Sequence, residues 1–143
     1  MPESLLTQKQ VVSLPLARRL MTAAESAIGE RRWAMFVAIV DDAGTPVLVE
    51  AIGEPQPASY EISVAKAQAA ARFRRPTKVW EERVKGGAPN VMSLPGVIAS
   101  EGGAPLLADG RVVGAVGVSG GTGAEDGLVA QAVVDALTAA LQA

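Results

Sequence analysis

The chain has no cysteine and no histidine in its 143 residues. Without cysteine there is no disulfide, no thiolate metal site and no thiol nucleophile. Without histidine, the side chain that most often serves as general acid–base and as haem ligand is gone. Aromatic residues make up only 3% of the chain although 49% of it is hydrophobic. The core therefore has to be built from Ala, Val, Leu and Ile, whose small size implies close approach of helices to sheet. An excess of one charge is missing too: a formal net charge of -2 makes no field that would favour nucleic acid or an anionic membrane. No apolar run reaches the roughly 20 residues a spanning helix needs. The first residues show no charged segment leading into an apolar stretch and a cleavage site, so a soluble, cytoplasmic protein is expected. A chain of this length makes one domain, able to bury about two-thirds of its unfolded surface.

What the chain has instead is glycine, concentrated in the block GGAPLLADGRVVGAVGVSGGTGAED from Gly102 to Asp126. The block reads as strands at 105–108 and 112–119 joined at Asp109-Gly110, a dipeptide suited to the tight turns that match strand twist. A glycine loop then feeds a helix. Thr122 and Glu125 fit a capping box, each side chain satisfying the other's backbone donor, and Leu128, Val129, Ala132, Val133, Ala136 and Leu137 give the helix an amphipathic face.

Upstream, residues 1–12 carry no strong pattern and read as an N-terminal arm, free to pack on a neighbouring subunit; a single domain occupies 13–143. Leu16, Leu20, Ala23, Ala24, Ala27 and Ile28 recur at helical spacing, closing near Gly29. Apolar runs at 33–40 and 46–52 flank Asp41-Asp42-Ala43-Gly44, a hairpin signature. A second helix starts at Pro57 or Ser59, with Ile62, Ala65, Ala69 and Phe73 as its apolar stripe and Glu61, Lys66 and Arg72 off it; it ends before Pro76. A short helix over Thr77–Lys85 follows, then an unpatterned stretch to Leu94 and a strand at Val97–Ser100. The resulting order α-β-β-α-β-β-β-α, rich in hairpins, predicts an α+β (α/β) domain with a five-stranded, mostly antiparallel sheet flanked by helices.

The glycine loop at Gly120–Gly123 lacks a P-loop lysine and dinucleotide spacing, and a capping Glu125 already fills the positive end of the helix. It serves as a turn and pocket wall. No metal site is evident, since Asp41 and Asp42 read as turn chemistry without further oxygen ligands. In a chain without His or Cys, acid–base chemistry falls to Asp, Glu, Lys and Tyr. Lys66 sits among small side chains that would desolvate its amine, with Glu61, Tyr60, Glu101 and Asp126 as possible partners in chemistry. A structural alternative pairs Lys66 with Glu61 or Glu101. Arg74 and Arg75, at a helix end, offer guanidinium forks for a carboxylate. Ser119 can donate a hydrogen bond.

The residues SYEISVAKA (59–67), Arg75-Pro76-Thr77, Leu94-Pro95-Gly96, Gly102-Gly103-Ala104-Pro105 and GAVGVSG (114–120) resemble the GlcG/HbpS-like family. That family is also described as haem-binding or haem-degrading, and includes the C-terminal domain of PduO-type proteins. The resemblance covers roughly residues 14 to 143. It implies a profilin-like or roadblock-like domain that assembles into homo-oligomers and binds haem or a related tetrapyrrole. The chain departs from the haem-binding members in having no histidine for the iron, so only Tyr60 and methionines such as Met92 remain as ligands, and the cofactor is left unassigned. Two readings follow. One is an oligomeric small-molecule-binding protein, its ligand held by Arg74, Arg75, Met92, Glu101 and Ser119. The other is a cofactor-independent isomerase, cyclase or lyase on a small carboxylated or carbonyl metabolite, with Lys66, Glu61 and Tyr60 as acid–base groups. Both expect a small-molecule ligand and self-association, with neither nucleic acid nor membrane as partner.

Overall fold

The computed structural model describes residues 4–143. Its elements in order are α1 (Leu14–Arg31), β1 (Met35–Asp41), β2 (Pro46–Ile52), α2 (Ala58–Phe73), α3 (Lys78–Lys85), a 3-10 turn (Pro89–Ser93), β3 (Gly103–Ala108), β4 (Arg111–Ser119) and α4 (Gly123–Gln142). Local chemistry accounts for most boundaries. Ser13 caps α1, its Oγ accepting the Leu16 N–H at 3.3 Å. Asp41 Oδ1 accepts the N–H groups of Ala43 and Thr45, both at 2.9 Å, and so closes the β1–β2 turn. Asp109 and Gly110 both take positive φ, 50° and 75°, the backbone a two-residue hairpin turn requires. The capping box is present, with Thr122 Oγ1 accepting the Glu125 N–H and Glu125 Oε1 accepting that of Thr122.

The strands form one antiparallel sheet in the order β2-β1-β4-β3. It has four strands, not the expected five. The segment 97–100 forms none because its side chains go elsewhere: Val97 is buried with Trp80 and Val91 in a small cluster under α3. The strand position beside β3 is also taken, at least at its start. Thr77 exchanges hydrogen bonds with Gly103, giving its N–H to the Gly103 carbonyl at 3.0 Å and accepting the Gly103 N–H on Oγ1 at 2.9 Å.

One face of the sheet carries α1 and α4, the other α2. The first face holds the large core: Leu20, Met21 and Ile28 from α1, Val37, Ile39, Val116 and Val118 from the strands, Val129, Val133 and Leu137 from α4. The second is built from Ala38, Val40, Ala67, Ala70, Ala71 and Ala115. At this second face the sequence expectation for α2 is met only in part, at Ala69. Its buried residues are Ser59, Ser63, Lys66, Ala67, Ala69, Ala70 and Ala71, while Ile62, expected in the core, is 40% exposed. The physical cause lies in β4. A Cβ on Gly117 would fall on the Ser63 carbonyl and against the Ala67 amide, so the helix backbone rests directly on the strand. Only small side chains fit such a contact; Val64 and Phe73 pack at its margins, and Ile62 turns outward.

The described part of the N-terminal arm touches the domain at two points, and Leu5 and Leu6 stay exposed. Val12 donates its N–H to the Val113 carbonyl at 2.9 Å, and its side chain occupies the space that a Cβ on Gly114 would need. Lys9 pairs with Asp42 at 2.9 Å.

Candidate functional site

Lys66 is the largest fully buried side chain among the described residues. Its Nζ lies 2.9 Å from Asp126 Oδ2 and donates to the Val118 carbonyl at 3.0 Å. Asp126 in turn accepts the Gly121 N–H on Oδ1 at 2.9 Å. The lysine therefore pairs with neither Glu61 nor Glu101. Glu61 is exposed in the first turn of α2, and five residues of helix set it well round from Lys66. The Glu101 carboxylate instead covers Gly127 in α4, and its backbone N–H reaches Glu81 at 3.4 Å.

The pair joins a helix on one face of the sheet to a helix on the other. It can do so because of Gly102, whose φ is 131°: a Cβ there would stand 2.9 Å from both Lys66 Nζ and the Asp126 Cβ. Burial pushes the Asp126 carboxyl above its ordinary range; hydrogen bonds from Lys66 and Gly121 and the lysine charge pull it back, and Glu125 adds a small upward push. Both charged groups are 4% exposed or less, so the ammonium is held as a tie rather than presented at a surface.

The other expected site residues are dispersed. Tyr60 and Ser119 meet at one end of the sheet around Phe36. Tyr60 is 48% exposed, its ring edge-on to Phe36 with centroids 5.7 Å apart, and Ser119, buried at the end of β4, is the strand partner of Phe36. Arg74 ends α2 in the left-handed region (φ 59°) and gives one N–H to the Asp42 carbonyl at 3.3 Å. Arg75 turns to α3, its guanidinium 5.3 Å from the Trp80 ring centre, with Arg83 on the same ring at 5.1 Å. Met92, on the 3-10 turn, is 52% exposed. Sequence reasoning missed a groove of about 160 Å³ between α2 and the Pro95-Gly96 turn, lined by Ala65, Gln68, Ala69, Arg72, Phe73 and Ile98. The apolar stripe on α2 was its signal, since Ala65, Ala69 and Phe73 of that stripe line it.

The family described as "Haem degrading protein HbpS-like" matches residues 12–135. The chain belongs to the HbpS-like family. It is 36% identical to protein GlcG of Escherichia coli K12 over 111 residues, 78% of this chain and 83% of that one. The crystal structure of Klebsiella pneumoniae protein ORFY superposes with a TM-score of 0.89 at 29% identity, covering 97% of this chain and 99% of the other. The structure of a PduOC–haem complex follows at 0.79 and 26%, covering 88% and 94%. Among the described residues no helix is long and apolar enough to cross a membrane, and no cluster of three or more His, Cys, Asp or Glu is placed to hold a metal ion.

The residues of one subunit do not fit an iron-ligated haem. Tyr60 and Met92 lie outside the groove beside α2 and outside a second, polar groove at the far end of the sheet.

Proposed function

We propose that this HbpS-like protein binds a planar, largely apolar small molecule on the outward face of α2, at a contact between copies of the chain. The observation that carries this reading is the apolar surface left around the groove beside α2. Half-exposed Ile62 on α2, and Met92 and Leu94 before the Pro95-Gly96 turn, are apolar side chains left at the surface, next to a groove too small to enclose a ligand alone. Arg72 in that groove supplies a cation suited to a carboxylate substituent of the ligand. A neighbouring copy would complete the walls, in keeping with the family's haem-related members. The acid–base reading ranks below this one, because Lys66 is buried in its ion pair, Glu61 is exposed and Tyr60 is engaged with Phe36.

The test is a titration of the purified protein with haemin and with metal-free protoporphyrin IX, run beside light scattering for subunit number. Comparable binding of the two is expected, since no iron ligand is invoked, with Ile62→Glu weakening both and reducing self-association. Absence of saturable binding by either compound, or binding untouched by Ile62→Glu, would overturn the proposal. A strong preference for haemin would restore iron ligation in its place.

A further inference from the structure

The second groove, about 950 Å³, lies at the end of the sheet away from Tyr60, between the N-terminal arm, the β3–β4 turn and the end of α2. Five charged residues line it: Lys9, Arg74 and Arg111 against Asp42 and Asp109. The two carboxylates offset only part of this positive charge. Asp42 is 8% exposed and committed to Lys9 at 2.9 Å, and Asp109 sits at the tip of the turn without an ion pair among the described residues. Arg74 gives one N–H to the Asp42 carbonyl, which leaves most of its fork of five donors without a protein acceptor. Arg111 has no carboxylate partner among the described residues.

The groove is also built rather than incidental. Its arm wall is pinned at two points, by the Lys9–Asp42 pair and by Val12 on Val113. Arg74 is held by the left-handed backbone that ends α2, a conformation a residue with a Cβ adopts at some cost. Gln8 and Gln10 add carboxamide donors to the same wall. Concave walls concentrate the field of unpaired charges, and guanidinium forks match planar or tetrahedral oxyanions.

We infer that this groove is a binding site for a small dianion, its oxyanion groups held by Arg74 and Arg111. The site is separate from the α2 surface and stands or falls independently of it. Calorimetric titration at constant ionic strength with succinate and with inorganic phosphate tests it and separates the two oxyanion chemistries. Saturable binding of at least one probe is expected. Arg111→Gln should weaken it about tenfold or more, as loss of a charged hydrogen-bond donor implies, and Arg111→Lys should lie between. Arg111 is exposed on a turn-flanking position, so the variant folds, and an unchanged melting curve verifies that. Arg83→Gln, on the Trp80 ring, should leave binding unchanged. Failure of both probes to bind, or binding indifferent to Arg111→Gln, would overturn the inference.

Discussion

The two faces of the sheet are held by different physics. Under α1 and α4 the contacts are between large side chains, and each buried leucine or methionine there contributes on the order of 1.5–3 kcal/mol by leaving water. Under α2 there is little volume to bury. Helix and strand meet backbone to backbone at Gly117, the side chains are alanines and serines, and the one large buried group is a lysine with its aspartate. The first face tolerates changes of shape that keep volume; the second depends on the absence of side chains and on one matched pair of charges. Its small-residue contact is also why Ile62 of α2 was left outside, where a ligand or a second copy can reach it.

The contrast can be broken most directly at Gly117. Gly117→Val would drive its side chain into the Ser63 carbonyl, and a loss of more than about 3 kcal/mol in urea unfolding is expected, whereas Val118→Leu on the opposite face should cost about 1–3 kcal/mol. Equal costs at the two positions would abolish the distinction. Next comes the ion pair. Asp126→Ala leaves the Lys66 ammonium buried and unpaired and should cost about 3–5 kcal/mol, while the double variant Lys66→Met/Asp126→Leu should recover most of it. A double variant no better than the single would assign the pair a structural role that packing cannot replace. On the large-residue face, Leu137→Ala should cost about 2–5 kcal/mol through the cavity it opens, and thermal melts of the same series would rank it against the pair.

The smallest effect concerns pH. Glu50 on β2 titrates above its ordinary range, first because burial disfavours its charge and then because Glu25 faces it. A carboxyl raised in the folded state binds more protons folded than unfolded, so stability is fullest below its ordinary range and falls as pH rises through the folded value. Unfolding followed from about pH 4 to about pH 6 should show that decline, made shallower by Glu50→Gln. A decline of the same slope in the variant would remove Glu50 as its source.

Much of this was legible in the chain. Hairpins at Asp41–Gly44 and Asp109-Gly110, the Thr122–Glu125 capping box and the stop before Pro76 are local devices, each decided within a few residues, and the structure has them. The fifth strand failed because Val97 had a better place in the Trp80 cluster, a competition no local pattern reveals. Of the stripe on α2, Ala69 is buried and Phe73 packs on the Trp80 cluster, but Ile62 faces outward. Periodicity identifies an apolar face without saying that another face, made of Ala and Ser, will be the one to meet a glycine-bearing strand. Lys66 and Asp126 were both marked as chemically notable, yet their pairing spans 60 residues and crosses the sheet through the gap at Gly102.

By itself, then, the sequence determined the element types, the tight turns and the helix caps, because these follow from backbone preferences and hydrogen bonds between near neighbours. It also excluded disulfides, thiolate chemistry and histidine ligation by composition alone. Only the tertiary structure decided which face of α2 is buried, which acid holds Lys66, and that Lys9, Arg74 and Arg111 share one groove. Those outcomes depend on residues distant in the chain and on how closely two backbones can approach, and glycine's missing side chain sets that distance only once its partner is in place.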